Sequence, residues 1–463
     1  MHTMVNPKDF FNASHFSEYY NEKMKSKKGG GRDGLTPAAF LKYYFKDFDN
    51  IAKHCLEGTY SFSPYKEKLI LKGREKYPRV LSIPSMRDRM VLGVLNQYLQ
   101  EVFPTAVNHE VPNHYIKEVS DFLVEHSTER IYFLKTDIEK FYDSIDLHTL
   151  YAKLEKSIDT HVLQLLKSAI DTITVPANSS KISVRRCPRT KGIPQGLAIS
   201  NILASISMLD FDTSIKQRCG ANTIYKRYVD DVLMLSTLPI DASFVAGVKS
   251  NLNLHTVSLC LSVEKTQYGV VGVDCFDYIG YVVQSPSSIS IRKKNVQSYL
   301  NRVCRLITRY KNMKAKRYLR PQFICEDKDL DEYHVSLLNR KLAGFKSSRH
   351  LFGWFPYFQA MTDISLLYEI DSVIHCKFMK GLDIESKIYH LPNVYWDIKK
   401  HAGKHTLMDY DALVEVGEIK DYLLKQGLID ENYRYEDDEL KKRYYAHLEY
   451  LKKDARISIG TTY

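Results

Sequence analysis

Short apolar runs closed by charged residues or glycine dominate the middle of the chain, and apolar residues at helical spacing dominate its C-terminal part. Ile131-Tyr132-Phe133-Leu134-Lys135-Thr136-Asp137-Ile138 reads as a strand that delivers Asp137 near its end. Thr223-Ile224-Tyr225 and Val232-Leu233-Met234-Leu235 are further strand-forming runs, and Tyr228-Val229-Asp230-Asp231 between them predicts a tight β-hairpin with its acids at the turn. Another β element is expected near Lys68 to Ser82. Helices from Leu147 to Thr174 and from Ser200 to Arg218 should back an antiparallel sheet, with Asp143, Ser144 and Asp146 offered as caps near Leu147. From Arg292 onward the pattern turns helical, and Lys293 to Ile307 sets apolar groups against a basic face.

Two adjacent carboxylates at a turn disfavour one another's ionisation and lose water in a sheet-lined cleft, a cost that a divalent cation removes. Asp230 and Asp231 alone are weak evidence, since most such pairs are solvated turn residues. Asp137 on a second strand changes the case. Three carboxylates at one point suffice to hold two Mg²⁺ ions roughly 3.5–4 Å apart, the arrangement that clamps the attacking and leaving oxygens of an in-line phosphoryl transfer.

Lys135 to Ile145 resembles the first catalytic motif of bacterial reverse transcriptases, Gly192-Ile193-Pro194-Gln195-Gly196-Leu197-Ala198-Ile199-Ser200 their Pro-Gln-Gly motif, and Tyr228 to Asp231 the third. Leu261 to Thr266 is similar to the fourth, with its lysine at Lys265, and Phe276 to Tyr281 to the primer grip. The five stand in the family's order. Upstream, Lys72-Gly73, Arg79 to Pro84 and Arg87-Asp88-Arg89 resemble the fingers of group II intron and retron-type enzymes, where Arg forks and mobile Lys charges meet phosphate oxygens. Arg89 is also readable as a structural partner of Asp88 or another acid. Asn108 to His114 stands where many relatives carry Gly-Phe-Arg, and Asn201 stands where many carry proline. Asn339 to Phe345 and Gly353 to Phe358 resemble, more loosely, the helical C-terminal extensions of phage-defence reverse transcriptases.

The resemblance implies an α+β right-hand polymerase: fingers over 1–130, a palm with the catalytic motifs over 131–291, and an α-helical thumb and C-terminal extension over 292–463. It implies that Asp137 and Asp230 bridge two Mg²⁺ ions, with Mn²⁺ an alternative, while Asp231 and the Ile138 carbonyl are further metal oxygens. Lys72, Arg79, Gln195, Gly196 and Lys265 would meet nucleotide or template. Tyr142, five residues after Asp137, would lie under the sugar and exclude a ribose 2′-hydroxyl. Ordinary readings stand beside these: a salt bridge for Lys265, a core ring for Tyr142 and a solvated basic face for the arginines.

A formal net charge of +11 and pI near 8.9 favour a polyanionic partner, although many basic proteins bind no nucleic acid. Lys293, Lys294, Arg302 and Arg305 are the expected phosphate contacts on the first thumb helix, an ordinary amphipathic helix being the alternative. Lys25 to Gly34 is a loop or a nucleic-acid contact, and Pro176 to Pro188 a polar, basic insertion. The eight cysteines lack Cys-x-x-Cys spacing, which argues against a zinc ribbon and for reduced, buried residues of a cytoplasmic protein. Gly192 to Leu209 is uncharged, yet Pro194, Gln195 and Asn201 make it a loop entering a packed helix, not a membrane span. His109 and His114 read as ordinary histidines. The expected function is RNA-directed DNA polymerisation from dNTPs on an RNA template, with a DNA product and no membrane. A noncoding RNA partner, antiphage defence and a homo-oligomer complete the expectation. Retron or group II intron-related enzymes and a catalytically silent nucleic-acid-binding assembly protein remain open.

Overall fold

The computed structural model describes residues 5–25, 30–71, 77–107, 112–179 and 185–459. It forms two compact units: Met1–His109 with Tyr132–Gly269, and Glu110–Ile131 with Val270–Tyr463. This is an α+β fold.

In the first unit, β1 (Tyr65–Ile70) and β2 (Arg79–Ile83) pair antiparallel, in the region expected to be extended. The strand β3 (Tyr132–Asp137) comes next in the chain, and β4 (Thr174–Val175) joins β1 in parallel. The central sheet takes β5 (Thr223–Tyr228), β6 (Asp231–Ser236) and β7 (Gln267–Val270) in the order β5-β6-β3-β7. β3 is buried on both faces, its four residues from Phe133 to Thr136 being almost wholly inaccessible. A strand covered on both sides reads as a near-continuous apolar run, as this one does.

The helix Ser200–Arg218 takes the expected bounds and buries Ile202, Leu203, Ile206 and Phe211. The expected helix from Leu147 to Thr174 is two, Leu147–Leu154 and Thr160–Asp171. Asp146 caps the first through the Thr149 N–H at 2.8 Å, and Asp159 restarts the chain through the His161 N–H at 2.7 Å. A second N-cap inside an apolar-periodic stretch breaks it, and periodicity alone does not reveal that.

The second unit contains the meander β8 (Phe276–Tyr278), β9 (Tyr281–Ser285) and β10 (Ser288–Ile291). Ile279 and Gly280 turn its first hairpin with φ of 47° and 88°, the two left-handed positions of a type I′ turn. Helices make up the rest, led by Lys293–Ala315 and Asp327–Ala343 and closed by Asp437–Ile459. Trp354, expected in a helical extension, stacks on Tyr299 at 4.0 Å and is buried. No helix among the described residues is long and apolar enough to cross a membrane.

The cysteines depart from expectation. All eight are free thiols, but only Cys55 is buried, and five are exposed. Scattered spacing excludes a metal ribbon without fixing which face of an element each thiol occupies.

Candidate active site

β3 and β6 pair so that Asp137 lies directly opposite Asp231, and β5 and β6 pair so that Tyr228 lies opposite Asp231. Val229 and Asp230 are therefore the whole loop of a two-residue hairpin. Val229 has φ of 59°, which a β-branched side chain rarely adopts. The turn is held from both sides: Arg227 donates to the Val229 carbonyl at 2.8 Å, and the Ile138 N–H donates to the Asp230 carbonyl at 2.9 Å. Asp212, on the helix Ser200–Arg218, anchors Arg227 through both carboxylate oxygens.

The acids face resident cations. Lys135 Nζ lies 3.0 Å from Asp137 Oδ1 and 3.6 Å from Asp231 Oδ1, with its side chain 7% exposed. Lys265 pairs with Asp137 Oδ2 but remains 55% exposed. Burial opposes ionisation of Asp137, yet the Lys265 hydrogen bond and the Lys135 charge outweigh it and hold the carboxyl below the usual range. Asp230 goes the other way: burial, then the charge of Asp137, push it up, against weaker help from Lys265 and Arg79. Lys135 is the group that sequence reading missed. Its i, i+2 spacing to Asp137 on a strand, which puts both on one face, was the available signal.

The remaining candidates of the first unit divide by neighbourhood. Arg79 begins β2, acts electrostatically on Asp230, and has a buried Nε with no hydrogen-bond partner among the described residues. The Gln195 carbonyl accepts from the Ser82 N–H at 2.7 Å, and the Gln195 side chain reaches Asp143 at 3.4 Å. Gly196 has φ of 100°, and a Cβ there would come within 3.0 Å of the Ser82 carbonyl, so the Pro-Gln-Gly loop abuts β2 only because it has glycine. The Tyr142 hydroxyl donates to Asn201 Oδ1 at 2.7 Å, giving the unusual asparagine a contact that proline could not make. Lys72 lies outside the described residues. Asp88 pairs with Arg87 at 3.4 Å rather than Arg89, and also accepts from Tyr60 and the Ser63 N–H, so Arg87 is tied into the core.

On the helix Lys293–Ala315, Lys293, Lys294 and Arg305 are exposed, but Arg302 donates to the Ile457 carbonyl at 2.7 Å. Among the described residues, the one set of three His, Cys, Asp or Glu side chains with ligand atoms within 4.8 Å of one another is Asp371, His375 and His390, in the second unit. There the two imidazoles stack at 3.9 Å and 23°. Asp371 accepts from His390 and from the Leu391 N–H, both at 2.7 Å, and so caps the helix Leu391–His401.

Residues 70–283, just under half of the chain, match the family described as Reverse transcriptase (RNA-dependent DNA polymerase). Over those residues the chain is similar to that family. No curated protein matches the sequence. Among solved structures, an apo telomerase from Candida tropicalis truncated from its C-terminal domain aligns at 16% identity over 50% of this chain and 55% of that one, with a TM-score of 0.37. A telomerase from Candida albicans, in complex with a TWJ fragment of telomeric RNA, aligns at 14% identity over 92% of this chain and 69% of that one, with a TM-score of 0.40. The chain thus spans about half the length of the first. The matched residues include Asp137, Asp230, Asp231, Arg79, Tyr142, Gln195, Gly196 and Lys265.

Proposed function

We propose that the protein is an RNA-directed DNA polymerase that extends a primer 3′-hydroxyl with dNTPs. The observation that carries this reading is the cross-strand pairing of Asp137 with Asp231 beside Asp230 at a strained turn, within a domain matching reverse transcriptases. The donor chemistry suits a divalent metal: Asp137, Asp230 and Asp231 offer hard carboxylate oxygens, although the three do not lie within 4.8 Å of one another, Lys135 and Lys265 pair with Asp137 and Lys135 also with Asp231, and Asp230 is held above its usual range by burial and by Asp137. Asp137, Asp230, Asp231 and the Ile138 carbonyl would hold Mg²⁺, or Mn²⁺ in its place. Bound there, the metals would lower the pKa of the attacking hydroxyl and neutralise the leaving pyrophosphate.

The chain's own groups do the rest. Lys135, buried in the sheet, fixes the spacing of Asp137 and Asp231, while half-exposed Lys265 is the cation free to turn from Asp137 toward a triphosphate. Arg79 offers its fork to phosphate oxygens. Gly196 and Gln195 set the loop against which template and nascent pair would rest. The Tyr142 ring, steadied by Asn201, bars a 2′-hydroxyl.

Within this reading the protein serves bacterial antiphage defence in the cytoplasm with a noncoding RNA, which the loose likeness of the C-terminal motifs supports. A retron or group II intron-related role shares the same chemistry. A silent assembly protein would have no use for Asp137 paired opposite Asp231 beside Asp230, and it would incorporate no nucleotide.

The test supplies a primed RNA template, dNTPs and Mg²⁺ to the purified protein, and sequences nucleic acid that copurifies with it. Template-dependent, chelator-sensitive DNA synthesis is expected, with a single defined RNA bound. Absence of incorporation with Mg²⁺ and with Mn²⁺ would overturn the polymerase reading.

A further inference from the structure

The second unit carries a half-open cavity of about 530 Å³, within the range of small-molecule sites. Its walls come from the helix Asp327–Ala343, the segment from His405 to Tyr410 and the helix Val416–Lys425. Tyrosines 333, 389, 410 and 422 supply aromatic faces.

Arg340 lies in the last turn of Asp327–Ala343 and lines this cavity. Its guanidinium donates to the Tyr410 hydroxyl at 3.1 Å, and no carboxylate among the described residues is within ion-pairing distance of it. The next residue, Lys341, pairs with Asp454 at 2.8 Å. Around Arg340 the network stays neutral: Tyr422 donates to the Tyr410 hydroxyl at 3.2 Å, and His447 meets the Tyr422 hydroxyl at 3.0 Å. Burial, helped by the Arg340 charge, pushes His447 down to about 4, so this imidazole is uncharged at neutral pH.

Other charges line the cavity and must be placed. Asp329 and Glu332 precede Arg340 on the same helix by eleven and eight residues, which sets their backbones about 16 and about 12 Å away along the axis. Asp329 is also committed to the Glu326 N–H as part of a capping box. Lys425 adds a second cation. The cavity therefore has a cationic end at Arg340, an acidic end a few turns away, and aromatic walls between.

A guanidinium hydrogen-bonded to one neutral hydroxyl keeps its remaining N–H groups and its full charge for an incoming anion, and phosphate matches its fork. Tyrosine faces suit a planar base, and carboxylates accept from exocyclic amines. We propose that this cavity binds a nucleoside monophosphate, its phosphate on Arg340 and its base among the tyrosines. The site is separate from the acids of the first unit and does not depend on their assignment.

Binding of dAMP to the full-length protein, measured calorimetrically in EDTA so that metal-dependent nucleotide binding is suppressed, tests the proposal. Wild type should bind one dAMP, with adenosine and inorganic phosphate each weaker. Arg340→Gln should weaken dAMP by roughly tenfold or more, as expected when a charge-assisted bidentate interaction is removed. Ser336→Trp fills the exposed rim without altering the buried network and should weaken dAMP comparably, which keeps the test decisive if Arg340→Gln misfolds. Asp137→Asn should bind as wild type does. No binding of dAMP by wild type, unchanged affinity in Ser336→Trp, or loss of binding confined to Asp137→Asn would each overturn the site.

Discussion

In the first unit Lys135 and Lys265 pair with Asp137, and Lys135 also with Asp231; in the second Arg340 donates to one neutral hydroxyl, that of Tyr410, which also accepts from Tyr422. The first arrangement neutralises itself. Lys135 and Lys265 hold the charge of Asp137 in place, and only Asp230 is left disfavoured by burial and repulsion. The second arrangement keeps its charge. Tyrosine hydroxyls satisfy donors without cancelling the cation, which leaves Arg340 an electrostatic attractor inside a cavity.

The sharpest break in that comparison is Asp230→Asn. Incorporation should fall by on the order of a thousandfold or more, since a charge that would hold the reacting phosphoryl group's metal is lost. Stability without metal should hold or rise: a carboxyl raised in the fold costs stability once pH exceeds its unfolded value near 3.9, so a neutral amide removes that cost. Primer extension alongside thermal unfolding in EDTA checks both. Activity within a few-fold of wild type would remove Asp230 from the site.

Lys135→Met compared with Lys265→Met separates scaffold from mobile charge. Lys135 is buried between two carboxylates, and removing it should cost about 3–5 kcal/mol. Lys265 is more than half exposed, and its loss should cost under about 1 kcal/mol while lowering incorporation. Urea titrations read the stabilities. Equal costs would mean that the two lysines share one role.

Tyr142→Ala should raise ribonucleotide use relative to deoxynucleotide by roughly 10–100-fold, the range that one steric contact commands. Asn201→Ala should do the same more weakly, and should add nothing to Tyr142→Phe, which has no hydroxyl for Asn201 to hold. Competition between dNTP and rNTP gives the ratio. An active Tyr142→Ala enzyme with unchanged preference would move the gate elsewhere.

For the basic helix of the second unit, neutralising Lys293, Lys294 and Arg305 should flatten the salt dependence of RNA binding by about 0.7–0.9 in log-log slope for each phosphate that is no longer neutralised. Arg302→Gln should leave the slope unchanged, because that side chain is bound to the C-terminal helix. Binding titrations at several salt concentrations distinguish them. A slope unmoved by the triple change would make this helix an assembly surface.

The smallest expected effect is on acid stability. Burial lowers His334, and burial with Arg340 brings His447 to about 4. The unfolded chain takes up protons near pH 6.5 that the folded unit refuses, so stability is full above that pH and declines toward 4. Melting temperatures from pH 7 to 4.5 should show this decline, and His447→Gln should shrink it.

Local pattern carried far in this chain. Strand alternation and the Tyr228 to Asp231 turn located the hairpin, and apolar periodicity located Ser200–Arg218 and the start of Lys293–Ala315, because these depend on neighbours a few residues away. Charge pairing across the fold was not legible. Asp137 could be placed at a strand end, but that Lys135 lies 3.6 Å from Asp231 depends on a register set between residues about a hundred positions apart. Exposure of the cysteines, the pairing of Asp88 with Arg87, and the clamp of Arg227 on Asp212 likewise required packed elements. Arg340 is the clearest case. In the sequence it is one of many basic residues on a helix, and only the arrival of Tyr410 and Tyr422 from later segments, with no carboxylate among the described residues in ion-pairing distance, makes its charge stand out. Periodicity fixes which face a residue takes; what meets that face is decided by contacts distant in sequence.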